Sequence, residues 1–327
     1  MIDAYSQNKL LDVKNLSIDY VAKDKPPARA VENVSFTLHE GELLGVVGES
    51  GCGKTTLMLG LTRLLPSAGR ITSGKVLFNN RDWMQLTERE MRDVRWKDIS
   101  FIFQGAMNAL NPVQTVGEQI VEAMMLHMQI SHEAARQRLV ELLEMVGISG
   151  NRKDNYPHQF SGGMRQRAMI AMALACMPPI VIADEPTTAL DVMIQAQIIE
   201  LLMQLREKLH TAVMLVTHDL GVVAEMCDAV VVMYSGVVAE YAKVDTIFNT
   251  PLHPYTQELL KAFPDLNRPN EKLKSIPGYP PRLDNLPKGC RFSPRCPKAF
   301  ERCFEEQPLT IEIAPGHYTS CHLVERQ

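Results

Sequence analysis

Apolar and polar side chains alternate across residues 10–20 and again across 31–38, the period of strands with one buried face. The run Leu43-Leu44-Gly45-Val46-Val47 is apolar on both faces and predicts a strand buried inside a sheet. A glycine-rich turn follows it, and then a helix over 55–65. Short strands are expected at 75–78 and 99–103. From about 115 to 175 the period lengthens to that of helices. One opens at Val116-Gly117-Glu118-Gln119-Ile120-Val121, a second, amphipathic one covers 132–146 and stops at Gly147, and a third begins near Ser161. Strands return at 180–183 and 212–217 with a helix over 191–209 between them, an order that implies parallel pairing through a right-handed crossover. Two apolar runs, 230–234 and 237–241, flank Ser235-Gly236 and read as a hairpin. Ten of the twenty prolines fall in the last 64 residues, which argues against long helices there and predicts an irregular, cross-linked tail.

The turn after the buried strand carries the first chemistry. Gly48-Glu49-Ser50-Gly51-Cys52-Gly53-Lys54-Thr55 fits the phosphate-loop pattern G-x-x-x-x-G-K-[ST] at every fixed position. Glycines allow backbone N–H groups to turn inward around phosphates, and the following helix adds the positive end of its dipole. Lys54 is placed to reach the β- and γ-phosphates, and the Thr55 hydroxyl to ligate Mg²⁺. A second signal is Val181-Ile182-Ala183-Asp184-Glu185, an apolar strand ending in two carboxylates, where ligands bind in open α/β sheets. Asp184 is placed to hold Mg²⁺, directly or through water, and Glu185 to polarise an attacking water. The competing reading is a turn-capping Asp-Glu pair before Pro186.

Composition narrows the class. A chain of 327 residues, 46% hydrophobic and 22% charged, has room for one large α/β domain with an appendage. Its net charge of −4, with no basic stripe, does not favour nucleic acid as a partner. The polar start at 1–9 is not expected to be a signal segment. The longest apolar stretch, 168–183, is split by Pro178-Pro179 and is too short to span a membrane.

Further segments resemble the motifs of ATP-binding cassette (ABC) ATPases, in order, over residues 8–262. Phe160-Ser161-Gly162-Gly163-Met164-Arg165-Gln166-Arg167 resembles the family's signature segment, with Met164 where glutamine is common. Gln104 resembles its Q-loop, Ala189-Leu190-Asp191 its D-loop and His218 its H-loop, and Tyr20 stands where the family stacks an aromatic on adenine. Each has a plainer alternative: Ser161 as a helix cap, His218 as the start of a helix with Asp219, Gln104 as a surface residue, Tyr20 as strand packing. The resemblance implies an α/β P-loop NTPase fold with a RecA-like core, an antiparallel β subdomain and an α-helical subdomain at about 105–178. It further implies a head-to-tail dimer with two ATP molecules at its interface. ATP would then be contacted by Tyr20, Gly48, Ser50, Gly51, Cys52, Gly53, Lys54, Thr55, Thr56, Gln104, Asp184 and Asp191, while Ser161, Gly162 and Gly163 would contact the γ-phosphate bound to the partner's phosphate loop. Thr55, Gln104 and Asp184 would hold Mg²⁺, and Glu185, His218, Gln104 and Lys54 would act in hydrolysis. DNA-repair relatives carry long coiled-coil insertions and translation relatives usually carry two cassettes; the sequence shows neither.

Asn108-Ala109-Leu110-Asn111-Pro112, the run from Asp184 to Val192, and His253-Pro254-Tyr255-Thr256 resemble the ATPase subunits of peptide and nickel importers, the D-type of which also carries a cysteine-rich tail. This implies a subunit at the cytoplasmic face of the cell membrane, paired with a homologous F-type ATPase beneath two membrane-spanning permease subunits, with an extracytoplasmic binding protein delivering the solute. Residues 108–128 would be the docking surface, with Met124, Met125 and Met128 either adapting to a partner helix or filling the core. Four of the seven cysteines, Cys290, Cys296, Cys303 and Cys321, crowd into the Cys/Pro-rich extension over 263–327. Thiols in a reducing compartment suggest metal before disulfides. The resemblance implies a [4Fe–4S] cluster there, with zinc and free or disulfide-linked thiols as alternatives. Arg291, Arg295 and Arg302 would offset its charge.

Overall fold

The computed structural model describes residues 8–23, 26–104, 109–188, 190–262 and 275–326. These residues cluster into two compact units. The phosphate-loop unit holds the described residues of 9–38, 43–85 and 216–327, and the helical unit those of 1–8, 39–42 and 86–215.

In the phosphate-loop unit, β1 (Lys9–Tyr20), β2 (Ala28–His39, its last residue excepted), β4 (Gly69–Phe78) and β5 (Arg81–Asp82) form a four-stranded sheet in the order β2-β1-β4-β5. The β1–β4 pairing is antiparallel, from Leu11 opposite Phe78 to Tyr20 opposite Gly69. The buried strand β3 (Leu43–Val47) pairs in parallel with β9 (Ala229–Tyr234) and runs straight into the loop at 48–53 and helix α1 (Lys54–Leu61). Helix α1 ends four residues before the expected stop. Arg63 takes a left-handed φ of 53°, the geometry that closes a helix. Leu57, Met58 and Leu61 bury its apolar face, and Gly60 lets β1 approach so closely that a Cβ there would stand 2.3 Å from Ile18 Cδ1.

Strand β9 turns through Ser235-Gly236, both at positive φ (44° and 89°), into β10 (Val237–Lys243), the two-residue geometry that matches strand twist. The expectation of an irregular tail is corrected here. Ile311–Ala314 (β11) and His317–Thr319 (β12) form an antiparallel hairpin, and β12 pairs with β10 through Glu240 opposite Thr319 and Tyr241 opposite Tyr318. Proline content excluded long helices, and α10 (Glu301–Glu305) is indeed short, but it did not exclude edge strands, where proline is tolerated. The fully buried Glu240 carboxylate accepts from the backbone N–H groups of Leu252 (2.7 Å) and His253 (3.0 Å), and stands 2.8 Å from His317 Nε2. Burial lowers the His253 pKa to about 4, so the ring stays neutral and its Nδ1 accepts the Tyr255 N–H at the start of α9 (Pro254–Lys261). Helices α7 (Leu220–Met226) and α8 (Val244–Asn249) complete this unit.

In the helical unit, β6 (Ile99–Ile102), β7 (Ile180–Asp184) and β8 (Ala212–Val216, its last residue excepted) lie in the order β8-β7-β6, with β6 and β7 parallel. Helix α2 (Glu88–Val94) starts at a Thr87/Glu90 capping box, and α3 (Val116–His127) at a Thr115/Glu118 box. Ser131 caps α4 (His132–Met145), Ser161 caps α5 (Gly162–Ala173) and Asp191 caps α6 (Val192–Leu209). Among the described residues no helix is long and apolar enough to cross a membrane.

Candidate functional site

The phosphate loop takes its shape from three glycines at positive φ: Gly48 (148°), Gly51 (76°) and Gly53 (103°). Two of them are forced by close backbone approach, since a Cβ on Gly48 would stand 2.1 Å from the Met233 carbonyl oxygen and one on Gly53 2.3 Å from that of Ala30. Gly51 faces open space, and Ser50 and Thr55 are exposed. Lys54 is only 7% exposed; its ammonium donates to the carbonyls of Gly48 (2.7 Å) and Glu49 (3.1 Å) and lies 3.7 Å from Cys52 Sγ. Burial raises the Cys52 thiol pKa against the pull of Lys54, so this cysteine packs as a neutral apolar group. The hairpin turn braces the loop from the other side, the Gly236 N–H donating to the Cys52 carbonyl (2.8 Å). Tyr20, at the end of β1, shares a 3.3 Å hydrogen bond with Thr56 of α1. His218 is exposed and directly precedes Asp219, whose carboxylate caps α7 through the Gly221 and Val222 N–H groups.

In the helical unit, β7 ends on Asp184, 1% exposed, and the chain turns at Glu185 with a φ of +44°, a conformation that costs a non-glycine residue about 1–3 kcal/mol. Such strain is held in place by specific bonds. Gln104 Nε2 donates to Glu185 Oε2 (2.7 Å), and the Thr188 hydroxyl donates to the same oxygen (2.9 Å). The two sequence candidates Gln104 and Glu185 are therefore neighbours, and Thr188 is a partner that sequence reasoning missed. Ser161 accepts the Met164 N–H at 3.3 Å, so the plainer cap reading holds for its side chain; its hydroxyl is exposed all the same. Gly163 presses against α6, where a Cβ would meet Ile194 at 2.9 Å, and Asp191 accepts the Ile194 N–H at 3.0 Å. Ala189 and Asn108 lie outside the described residues. Of the methionines proposed for docking, Met124 is core, Met128 is half-buried and Met125 is 42% exposed beside Leu126 at 72%.

The tail differs from expectation in two ways. Its three arginines do not face the cysteines: Arg291 bonds Glu32 and the Ser235 carbonyl, Arg302 bonds Glu306 (2.8 Å) and Glu325 (2.6 Å), and Arg295 bonds Glu49. A carboxylate is a better partner for a guanidinium than a neutral thiol. Cys290, Cys296, Cys303 and Cys321 are free thiols. Among the described residues no group of three or more His, Cys, Asp or Glu is placed to hold a metal ion, so neither the expected cluster nor its zinc alternative has a formed ligand set here. The pKa of Cys290 is pushed up to about 11 by burial and then by Cys321, Cys303 and Cys296, and that of Cys321 to about 11 by burial, with Cys296 and Cys303 adding to it.

Comparison with known proteins decides the family. A model described as "ABC transporter" matches residues 31–188, and one described as "Oligopeptide/dipeptide transporter, C-terminal region" matches 239–303. The chain is 46% identical to the dipeptide transport ATP-binding protein DppD of Escherichia coli, over 96% of each chain. It is 48% identical to the oligopeptide transport ATP-binding protein OppD of Salmonella typhimurium, over 96% of this chain and 93% of that one. The chain belongs to the ABC ATPase family. Its fold is that of an ABC ATPase with mixed α/β sheets, matching the dimeric cassette MJ0796, bound to ADP and phosphate in a post-hydrolysis state, with a TM-score of 0.64 and 32% identity over 72% of this chain and 98% of that one. An ABC ATPase binds and hydrolyses ATP, and Mg²⁺ fits that chemistry.

Proposed function

We propose that this ABC ATPase is the subunit that energises import of di- or oligopeptides across the cytoplasmic membrane. The observation that carries the reading is near-full-length similarity to dipeptide and oligopeptide transport ATP-binding proteins, reaching into the C-terminal region. Residues 8–262 are the ATP-binding domain and 263–327 the transporter-type extension. Gly48, Ser50, Gly51, Cys52 and Gly53 wrap the phosphates, while Lys54 turns from the loop carbonyls to the β- and γ-phosphates. Thr55, Gln104 and Asp184 ligate Mg²⁺, supported by the exposed Thr55 hydroxyl and by the position of Asp184 at a strand's carboxyl end. Tyr20 stacks on adenine, and its loss raises the ATP Kd by an amount equivalent to about 1–3 kcal/mol, as titration with a fluorescent ATP analogue would read. Glu185 takes the proton of the attacking water, and His218 polarises the transferring phosphate.

A homologous F-type ATPase pairs with this chain head to tail, so that Ser161, Gly162 and Gly163 at the start of α5 contact the γ-phosphate bound to the partner's phosphate loop, where a hydroxyl and a helix N-terminus meet an anion. Exposed Val192 (78%) and Met193 (73%) beside Asp191 suit burial in that dimer, as exposed Val113 (78%) and Leu126 (72%) suit docking to the permeases. The chain then sits on the cytoplasmic face and meets the extracytoplasmic binding protein only through the permeases. Co-purification with two integral membrane proteins and a second cassette is the expected result, together with ATPase activity that rises when peptide-loaded binding protein is added. Isolation with ribosomes or DNA instead would refute the assignment.

The four tail thiols are assigned to a [4Fe–4S] cluster. A four-iron cluster is larger than a single ion and needs its ligand sulfurs farther apart, and the support is a set of four free thiols in one region. Such a cluster supplies a cross-link for a small segment; the chain's own residues carry the hydrolysis. Anaerobically purified protein is expected to be brown with about four irons per chain. Colourless protein with stoichiometric zinc, or with no metal, would remove the assignment.

A further inference from the structure

Arg295 belongs to the tail, yet its guanidinium is spent on the phosphate loop. Nη1 and Nη2 grip the Glu49 carboxylate in a fork, at 2.6 Å to Oε2 and 3.0 Å to Oε1. The remaining N–H groups go to the Tyr234 hydroxyl (3.2 Å), the Ile276 carbonyl (3.2 Å) and the Pro277 carbonyl (2.8 Å). All five donors of the side chain are used, which fixes its position as fully as an arginine allows. The side chain is 5% exposed and that of Glu49 27%, so water screens the pair only partly.

Glu49 is the first residue after Gly48, where the chain leaves β3 and starts its turn. Its backbone N–H donates to the Tyr255 hydroxyl (3.0 Å), and its carbonyl accepts from Lys54 (3.1 Å). Tyr255 is fully buried against Tyr234 and Phe292, so the phenol is an immobile acceptor. One residue of the phosphate loop is thus held by side chain, N–H and carbonyl together. Nothing in the pattern G-x-x-x-x-G-K-[ST] requires a glutamate at that position. A second route runs in parallel: Arg291 bonds the Ser235 carbonyl, and the Gly236 N–H holds the Cys52 carbonyl at the middle of the loop.

We propose that Arg295 is a positioning residue for ATP binding: through Glu49 it orients the opening of the phosphate loop, so that nucleotide affinity depends on the C-terminal region. The inference rests on the assignment of residues 48–55 to the nucleotide phosphates. Arg295 acts through Glu49, by holding Gly48 and Glu49, the carbonyls on which the Lys54 ammonium rests, in the arrangement from which the lysine reaches a phosphate.

The test uses the full chain, with MgATP as the probe for both binding and steady-state hydrolysis. Arg295→Ala is expected to raise KM and Kd for ATP about tenfold, the scale of one charge-assisted bidentate contact, while kcat stays within about twofold. Arg295→Lys keeps the charge without the fork and should fall between wild type and alanine. Glu49→Gln should behave like Arg295→Ala, and the double variant Glu49→Ala/Arg295→Ala should be no worse than either single variant, because the two act through one contact. Unchanged KM in Arg295→Lys and Glu49→Gln, additive effects in the double variant, or a lowered Tm with normal KM would overturn the proposal and leave Arg295 a mere cross-link of the tail. Lys54→Ala separates the underlying assignment: loss of ATP binding upholds it, whereas wild-type affinity would remove both it and the proposal.

Discussion

Glu185→Gln should bind ATP with wild-type affinity, accumulate as a closed dimer with its partner, and lower kcat by about 10²–10⁴. The substitution suits this site because of how the carboxylate is held. Gln104 and the Thr188 hydroxyl both donate to Glu185 Oε2. An amide oxygen accepts the same two bonds, so the side chain keeps its place and the backbone its strained φ of +44°. What disappears is the basic oxygen that takes a proton from water. Binding and hydrolysis therefore separate: the loop at 48–55 works as before, and the γ-phosphate stays uncleaved. Steady-state hydrolysis and size-exclusion chromatography with ATP read the two halves. Hydrolysis at the wild-type rate would assign the base elsewhere, whereas a fall in ATP affinity to match kcat would mean that Glu185 shapes the site rather than serving it. Thr188→Val leaves the carboxylate with one donor instead of two, and should lower kcat by less than the glutamine variant does.

Gly48→Ala should abolish ATP binding and destabilise the fold by about 3 kcal/mol or more. Its Cβ would stand 2.1 Å from the Met233 carbonyl oxygen and 2.8 Å from Cys52 Sγ. The carbonyl belongs to β9, which is paired with β3 and β10, so it cannot move aside without breaking ladder bonds. The φ of +148° is in addition one that an L side chain rarely takes. Gly51→Ala is the contrast, since nothing lies within 4 Å of its Cβ and only the φ of +76° resists, a cost of about 1–2 kcal/mol. Thermal unfolding and ATP titration of both variants check the ranking. Equal losses would mean that backbone freedom alone, and not the approach of β9, makes position 48 a glycine.

The phosphate loop, the Asp184-Glu185 strand end and the helix caps were legible in the chain because each is decided within a few residues. A buried strand, a glycine-rich turn and a helix are adjacent in sequence, and the apolar period alone marked β3, β7, α4 and α6 to within a residue or two. Helices α7, α8 and α9 gave no such signal. Each has at most eight residues, too few for a period to emerge; only the start of α7 at Asp219 stood among the plainer alternatives, and His253 caps α9 with a bond that composition does not announce. The tail was misread for a related reason. Proline and cysteine are conspicuous in a sequence, whereas the pairing of β12 with β10 joins residues about 80 positions apart and leaves no local trace.

By itself the sequence determined the motifs of this protein: a phosphate-loop pattern at Gly48–Thr55, carboxylates at Asp184 and Glu185, and a motif order that belongs to ABC ATPases. Those features rest on backbone geometry and residue type over short spans, which a chain writes out in order. Only the tertiary structure decided what holds them. Gln104 meets Glu185 across 81 positions, and Arg295 meets Glu49 across 246. A charged side chain near a cluster of cysteines looks like a counter-charge until folding supplies a carboxylate from the far end of the chain, and a guanidinium then takes the partner with the stronger, two-pronged bond. The phosphate loop was evident from its own eight residues; its contact with the tail was visible only once the two stood side by side.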